Sequence, residues 1–201
     1  MLKTQMPRLK SDRIILRPIQ VEDAKDMFKY ASNPEVLKYL WWEPHTSVEQ
    51  SQQSIRDNFL TRLDKGIPEA YAIVFKENQQ MIGTIDVHTV HFGDVGVIGY
   101  VLHQDYWGKG IVSEALQMLV SVCFNYCGFY RLEINHCADN VGSAKVIEKA
   151  GFKTEGRFRQ RKIERDGHRA DYLYYGLLVS DEIVKNFYTK EQYEKYLRSK
   201  V

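Results

Sequence analysis

Ile98-Gly-Tyr-Val-Leu-His-Gln-Asp-Tyr-Trp-Gly-Lys-Gly-Ile-Val-Ser-Glu-Ala-Leu116 is the stretch on which the reading of the whole chain turns. Ile98 to Leu102 is an apolar run with the character of a buried strand. A turn carrying Gly108 and Gly110 follows, and then a helical pattern. Such a corner suits a phosphate. The first amides of a helix lack internal partners, and the aligned peptide dipoles leave partial positive charge there. Glycine at 108 and 110 keeps Cβ atoms out of a close backbone approach. Strand–Gly-x-Gly–helix occurs in many folds, so its flanks must narrow the reading.

Upstream, residues 70–76, 80–91 and 95–102 read as strands joined by tight turns at Asn78-Gln79 and Gly93-Asp94, an antiparallel meander. Residues 12–19 read as a strand that Pro18 ends or pushes to an edge. Val21, Ala24, Met27, Phe28 and Ala31 share one face of a helix over 21–32, stopped at Asn33-Pro34. A loop with Tyr39, Leu40, Trp41 and Trp42 leads to a second helix over 47–65, started by Ser47 and Gln50 and closed by Gly66. Its few apolar positions predict that it lies exposed on the surface.

Downstream, a helix over 110–127 carries Ala115, Leu116, Leu119, Val122, Cys123 and Tyr126 in one stripe and ends at Gly128. Residues 131–137 alternate as a strand, and the intervening helix makes it parallel to 95–102. Asp139-Asn140-Val141-Gly142-Ser143 opens another helix, which Gly151-Phe152 ends. Strands 153–165 and 169–179 turn at Asp166-Gly167. The polar tail has Phe187, Tyr193, Tyr196 and Leu197 at helical spacing. The expected fold is α+β (mixed α/β): one domain over 1–180 with a helical tail over 181–201. Its mostly antiparallel sheet of six to seven strands has helices on both faces and one parallel pair at the glycine corner.

A chain of 201 residues can bury a sizeable core. Its net charge of +2 implies no strong field for nucleic acid or membrane. There is no signal-peptide pattern and no apolar run near the ~20 residues of a membrane span. Cys123, Cys127 and Cys137 make no disulfide framework and no metal-ligand spacing, so a reducing, cytoplasmic setting without metal is expected. Gly108-Lys109-Gly110 lacks the upstream glycine and the Lys-Ser/Thr pair of a nucleotide P-loop.

The chain resembles the Gcn5-related N-acetyltransferases, and most of all their ribosomal-protein N-terminal acetyltransferase branch. The residues that carry this are Asp12-Arg-Ile-Ile-Leu-Arg-Pro18 with Glu22-Asp23-Ala24, and Gly99-Tyr-Val-Leu102 with Tyr106-Trp-Gly-Lys-Gly110 and Ser113-Glu-Ala-Leu116. Asn140-x-x-Ser143 with Glu148-Lys-x-Gly-Phe152, then Glu155-Gly156, Asp166-Gly167 and Asp171-Tyr172, complete the set. The resemblance implies acetyl transfer from acetyl-coenzyme A to an amine in a ternary complex. It implies that the amides of Trp107, Gly108, Lys109, Gly110, Ile111 and Val112 hold the pyrophosphate. The backbone of Tyr100, Val101 and Leu102 then pairs with the pantetheine arm, and Asn140 and Ser143 face the thioester. Trp107 and Val112 depart from the family's Gln/Arg-x-x-Gly-x-Gly/Ala pattern. Val97 and Gln104 stand where a glutamate base can stand, so a coenzyme-binding module without turnover is the competing reading.

Ser143 is the candidate proton donor to the leaving thiolate, its alternative being a plain helix-start residue. Asp86 and His88, two apart on one strand, share a face and are the candidate bases, against ordinary polar side chains on an exposed face. His103 and His136 are weaker candidates. Trp41 and Trp42 are candidates for the acceptor wall, or else anchor their loop. Arg157, Arg159 and Arg161 alternate and read as a solvated face, or else as one that attracts an acidic acceptor, a ribosomal surface or the coenzyme's 3′-phosphate. Neutralising a lysine amine at pH 7 costs about 4–5 kcal/mol, an α-amine only about 1–1.4 kcal/mol. With no certain carboxylate base, the expected acceptor is an α-amine, of a protein N-terminus or a small molecule. The tail's tyrosines are free to cap this core or that of a second copy in a homodimer.

Overall fold

The computed structural model describes residues 2–186. Its eight-stranded sheet contains β1 (Leu9–Lys10), β2 (Ile14–Pro18), β3 (Tyr71–Phe75), β4 (Met81–His91), β5 (Val95–Leu102), β6 (Arg131–Cys137), β7 (Lys153–Ile163) and β8 (Arg169–Leu178). The spatial order is β1-β2-β3-β4-β5-β6-β8-β7. The α-helices are α1 (Ala24–Ala31), α2 (Pro34–Leu37), α3 (Val48–Ile55), α4 (Ile111–Val122) and α5 (Val141–Lys149). Neighbouring strands are antiparallel except β5 and β6, which are parallel as the crossover through α4 requires.

Both sheet faces are buried, because successive side chains on a strand point to opposite sides. Ile14 and Leu16 of β2 join Ile73, Ile85, Ile98, Leu116 and Leu119 in the core under α4 and α5. Ile15 of the same strand joins Met27, Tyr30, Leu37, Ile55 and Val74 in the core under α1, α2 and α3. Residues 98–116 thus supply both a strand and a helix to the larger core.

Differences from the expected elements have local causes. The eighth strand, β1, pairs Leu9 with Leu16 and Lys10 with Ile15, and is too short to show alternation. Pro34 does not merely stop a helix. It opens α2 in its first turn, with Asn33 Oδ1 accepting the Glu35 amide at 3.0 Å. The helix expected over 47–65 is regular only in α3. A π-turn over Arg56–Leu60 and a 3-10 turn over Leu63–Lys65 follow, closed by Gly66 at φ 67°. Nor is it simply exposed: Ser51 and Ile55 are fully buried against the second core, and Arg62 is buried beneath β4. A second π-turn, Cys123–Cys127, ends the helix expected over 110–127. The expected tail helix lies outside the described residues, apart from a 3-10 turn at Glu182–Asn186.

Leu119→Ala, in the larger core, is expected to destabilise the protein by about 2–5 kcal/mol. Urea unfolding checks this as a lower midpoint at unchanged slope.

Candidate active site

The parallel pairing of β5 with β6 covers only Val95, Gly96 and Val97 against Arg131, Leu132 and Glu133. Beyond Val97, β5 stays bonded to β4 as far as Leu102, while β6 follows β8 as far as Cys137. The two strands therefore open into a wedge. On their β6-facing side, residues 98–102 have no strand partner among the described residues, so their outward-facing peptide groups, save the Leu102 carbonyl, are available to an extended ligand. Trp107 folds back here, its indole Nε1 donating to the Leu102 carbonyl at 2.8 Å. That contact gives the tryptophan at this position a structural role.

At the open end of the β5 strand the chain turns into α4. Gly108 and Gly110 sit at φ 71° and 73°, a region that favours glycine. Among the described residues, no backbone carbonyl accepts the amides of Gly108, Lys109 or Gly110. With the first amides of α4 they form a run of unmet donors, the anion site expected at a helix start. Arg13 braces it: Nη1 donates to the Lys109 carbonyl at 2.7 Å and Nε to Glu114 Oε2 at 2.8 Å. Sequence reasoning missed this brace, for which Arg13 offers no signal beyond its place before β2. Val112 is partly buried and packs its side chain against the larger core.

Asn140 caps α5, its Oδ1 accepting the Ser143 amide at 3.1 Å. The Ser143 hydroxyl is thereby relieved of the capping role. Tyr100 points its phenol toward Ser143; the hydroxyl is buried and meets no hydrogen-bond geometry. Burial pushes that phenol up to about 12, with Ser143 pulling weakly the other way. Tyr100 therefore stays protonated at neutral pH. Its side chain was not singled out in the sequence, where only its backbone was considered.

Asp86 and His88 converge on Gly99: a Cβ there would lie 3.0 Å from His88 Cδ2 and 3.7 Å from Asp86 Oδ1. A register shift between Val87 and Thr89 makes His88 the extra residue of a β-bulge, which re-aims its side chain. Asp86 is buried and committed to Arg62, Nη2 to Oδ2 at 2.9 Å. The His88 ring, 2.8 Å from Thr89 Oγ1 through Nδ1, has its pKa lowered by desolvation, with Asp86 opposing. Val97 is buried, and Gln104 accepts a hydrogen bond from Asn33 Nδ2 at 2.8 Å. His103 caps the turn after β5, and buried His136 lies 3.2 Å from the Tyr175 hydroxyl, so neither joins Ser143.

The two tryptophans separate. Trp42 packs on the second core with its ring 5.1 Å from that of His45. Trp41 is 81% exposed and borders a cleft of about 150 Å³ shared with the tip of the β7–β8 hairpin. Arg165 joins hairpin to loop, through Glu43 Oε2 at 2.7 Å and the Trp42 carbonyl. Arg157 pairs with Asp171 at 2.6 Å, and Arg159 and Arg161 are exposed.

Residues 13–153 match the family model described as an acetyltransferase (GNAT) domain. The chain is a GNAT acetyltransferase. An uncharacterized N-acetyltransferase of Bacillus licheniformis, p20, is 32% identical to it over 86% of this chain and 97% of the relative. The L-amino acid N-acetyltransferase AaaT of Escherichia coli (strain K12) is 25% identical, over 80% of this chain and 95% of its own. RimL, a ribosomal L7/L12 alpha-N-protein acetyltransferase solved in complex with coenzyme A, shares the fold. Its TM-score is 0.76 at 22% identity, over 86% of this chain and 98% of that one. This GNAT enzyme is an N-acetyltransferase, and its family takes the acetyl group from acetyl-CoA. The unmet amides at 108–110 and the unpartnered edge of β5 fit a diphosphate joined to an extended amide-bearing arm.

Arg62→Met, which strands the Asp86 carboxylate, is expected to destabilise this acetyltransferase by about 3–5 kcal/mol. Adding Asp86→Asn should restore much of the loss, as measured by urea unfolding of the single and double variants.

Proposed function

We propose that this acetyltransferase moves the acetyl group of acetyl-CoA to the α-amine of an acceptor, by direct attack within a ternary complex. The acceptor is a protein N-terminus, such as that of a ribosomal protein, or a small molecule. The observation that carries the reading is the wedge between β5 and β6 ending at the amide cradle of Gly108 and Gly110. The relatives point the same way, one named for L-amino acids and one for the α-amine of a ribosomal protein. The absence of a carboxylate at 97 and 104 favours an acceptor that loses its proton cheaply.

Acetyl-CoA supplies an acyl group on a thiol leaving group. The amides of Gly108, Lys109, Gly110, Ile111 and Val112 hold its diphosphate, that of Trp107 being spent on the Gln104 carbonyl at 3.0 Å, and the β5 edge at Tyr100, Val101 and Leu102 aligns its arm. Asn140 fixes the start of α5, so that Ser143 faces the thioester end. Ser143 gives the proton that the departing thiolate needs. The proton lost by the incoming amine makes good, through solvent, the one that Ser143 gives, with Tyr100 protonated and buried beside the serine. His88 takes the proton of the incoming amine as a neutral imidazole, the form that its desolvation favours. Asp86, held by Arg62, positions that strand face. Trp41 borders the acceptor and Trp42 anchors its loop. The three cysteines form no disulfide, which suits action in the cytoplasm.

Thiol release with a panel of amines, followed by mass spectrometry of the products, tests the reading. Efficient acetylation of lysine ε-amines with α-amines ignored would overturn the acceptor assignment. Ser143→Ala is expected to lower kcat about 100-fold with little change in the KM for acetyl-CoA. The pH profile of kcat should fall on its acid side, since His88 must be neutral, with a midpoint below the ordinary histidine value of about 6.5. His88→Gln should abolish that limb.

A further inference from the structure

We propose that Glu164 holds a cationic nitrogen of the acceptor and so determines which amines the enzyme accepts. The inference rests on the acetyltransferase reading above and adds the chemistry by which the acceptor side selects.

Glu164 follows β7 at the hairpin tip and is 7% exposed. Its Oε1 accepts the Tyr172 hydroxyl at 2.8 Å. Its Oε2 is equally buried and receives no hydrogen bond. A carboxylate presents about four lone-pair sites, and a buried oxygen without a donor is unfavourable unless something supplies one. The nearest cation, Lys162 Nζ, stands 3.7 Å from Oε2, beyond hydrogen-bond distance, and is 3.3 Å from the Tyr172 hydroxyl. Lys162 lies beside the position that a better-placed ammonium would fill.

Glu164 lines the 150 Å³ cleft with Leu40, Trp41, Glu43, Lys162 and Arg165. Arg165 and Glu43 neutralise each other at 2.7 Å, which leaves Glu164 and Lys162, a looser pair at 3.7 Å that shares the Tyr172 hydroxyl, as the cleft's other charges. The exposed face of Trp41 adds an aromatic surface, which also attracts cations. Tyr172 stands opposite Cys137 in the β6–β8 register, and the Tyr39 hydroxyl donates to the Asp139 carbonyl at 3.3 Å. The cleft therefore adjoins the corner that leads to Asn140 and Ser143. A buried carboxylate oxygen, an aromatic wall and a displaceable lysine together make a receptor for an ammonium group.

The test uses the CoA-loaded enzyme and two probes, alaninamide and its neutral counterpart lactamide, with calorimetric binding and thiol release measured separately. The wild type is expected to bind alaninamide about tenfold or more tighter than lactamide. Glu164→Gln, nearly isosteric, should erase that preference and raise the alaninamide KM by a similar factor. The KM for acetyl-CoA should stay within about twofold, since Glu164 touches no part of the coenzyme. Lys162→Met, which removes the resident cation, should lower the alaninamide KM, an effect that a purely structural Glu164 does not produce. Equal affinity for the two probes in the wild type, an unchanged KM in Glu164→Gln, or a raised KM in Lys162→Met would each overturn the proposal. Failure of the wild type to release thiol with any amine would overturn the acetyltransferase reading itself, and this inference with it.

Discussion

Two parallel strands that pair at three positions and then part are the constraint on which the rest of this molecule depends. A sheet normally satisfies its backbone groups strand by strand. Here β5 gives up its partner on one side from residue 98 onward, while β4 on its other side holds it straight as far as Leu102. The exposed edge is therefore rigid, and its peptide groups are presented in a fixed direction. Rigidity of this kind is what an extended, flexible arm needs in order to be ordered at low entropic cost. The glycine corner at the end of the same strand adds a second fixed set of donors, braced by Arg13 just before β2. Strand edge and corner are consecutive in the chain, so one extended ligand can lie along both.

Around that wedge, small irregularities aim side chains. The bulge at His88 lets it and Asp86 both reach Gly99. The π-turn over Arg56–Leu60 precedes Arg62 and accompanies its descent to Asp86. A buried ion pair of this type adds little net stability over an apolar pair, yet losing one partner is costly. Its consequence here is to tie the segment after α3 to the strand that carries His88. On the other side, Arg165 ties the β7–β8 hairpin to the Trp42 loop. The cleft beside Trp41 is thus bordered by segments far apart in sequence, and its charges answer to those long-range contacts.

The strands and helices were legible from residues 98–116 outward because each has a strong local period. Ile14, Ile15 and Leu16 alternate between two cores, and Leu116 and Leu119 recur on one helical face. Asp166-Gly167 announced its hairpin by turn chemistry alone, and Gly167 indeed lies at φ 87°. Two-residue β1 was too short for any period to show, and the π-turns shift a helical pattern by too little to be seen in it. The pairings Arg13–Glu114, Arg62–Asp86 and Arg165–Glu43 left no local trace, since each joins segments that meet only when the sheet has formed.

The sequence by itself determined the order of elements, the one parallel crossover and the glycine corner, because local periodicity and the conformational needs of glycine are properties of neighbouring residues. Only the tertiary structure decided how far β5 and β6 stay together, that Asp86 is bound to Arg62, and that Glu164 is buried with one oxygen unmet. Those outcomes depend on register and on desolvation. Both arise only when distant parts of the chain are packed against one another.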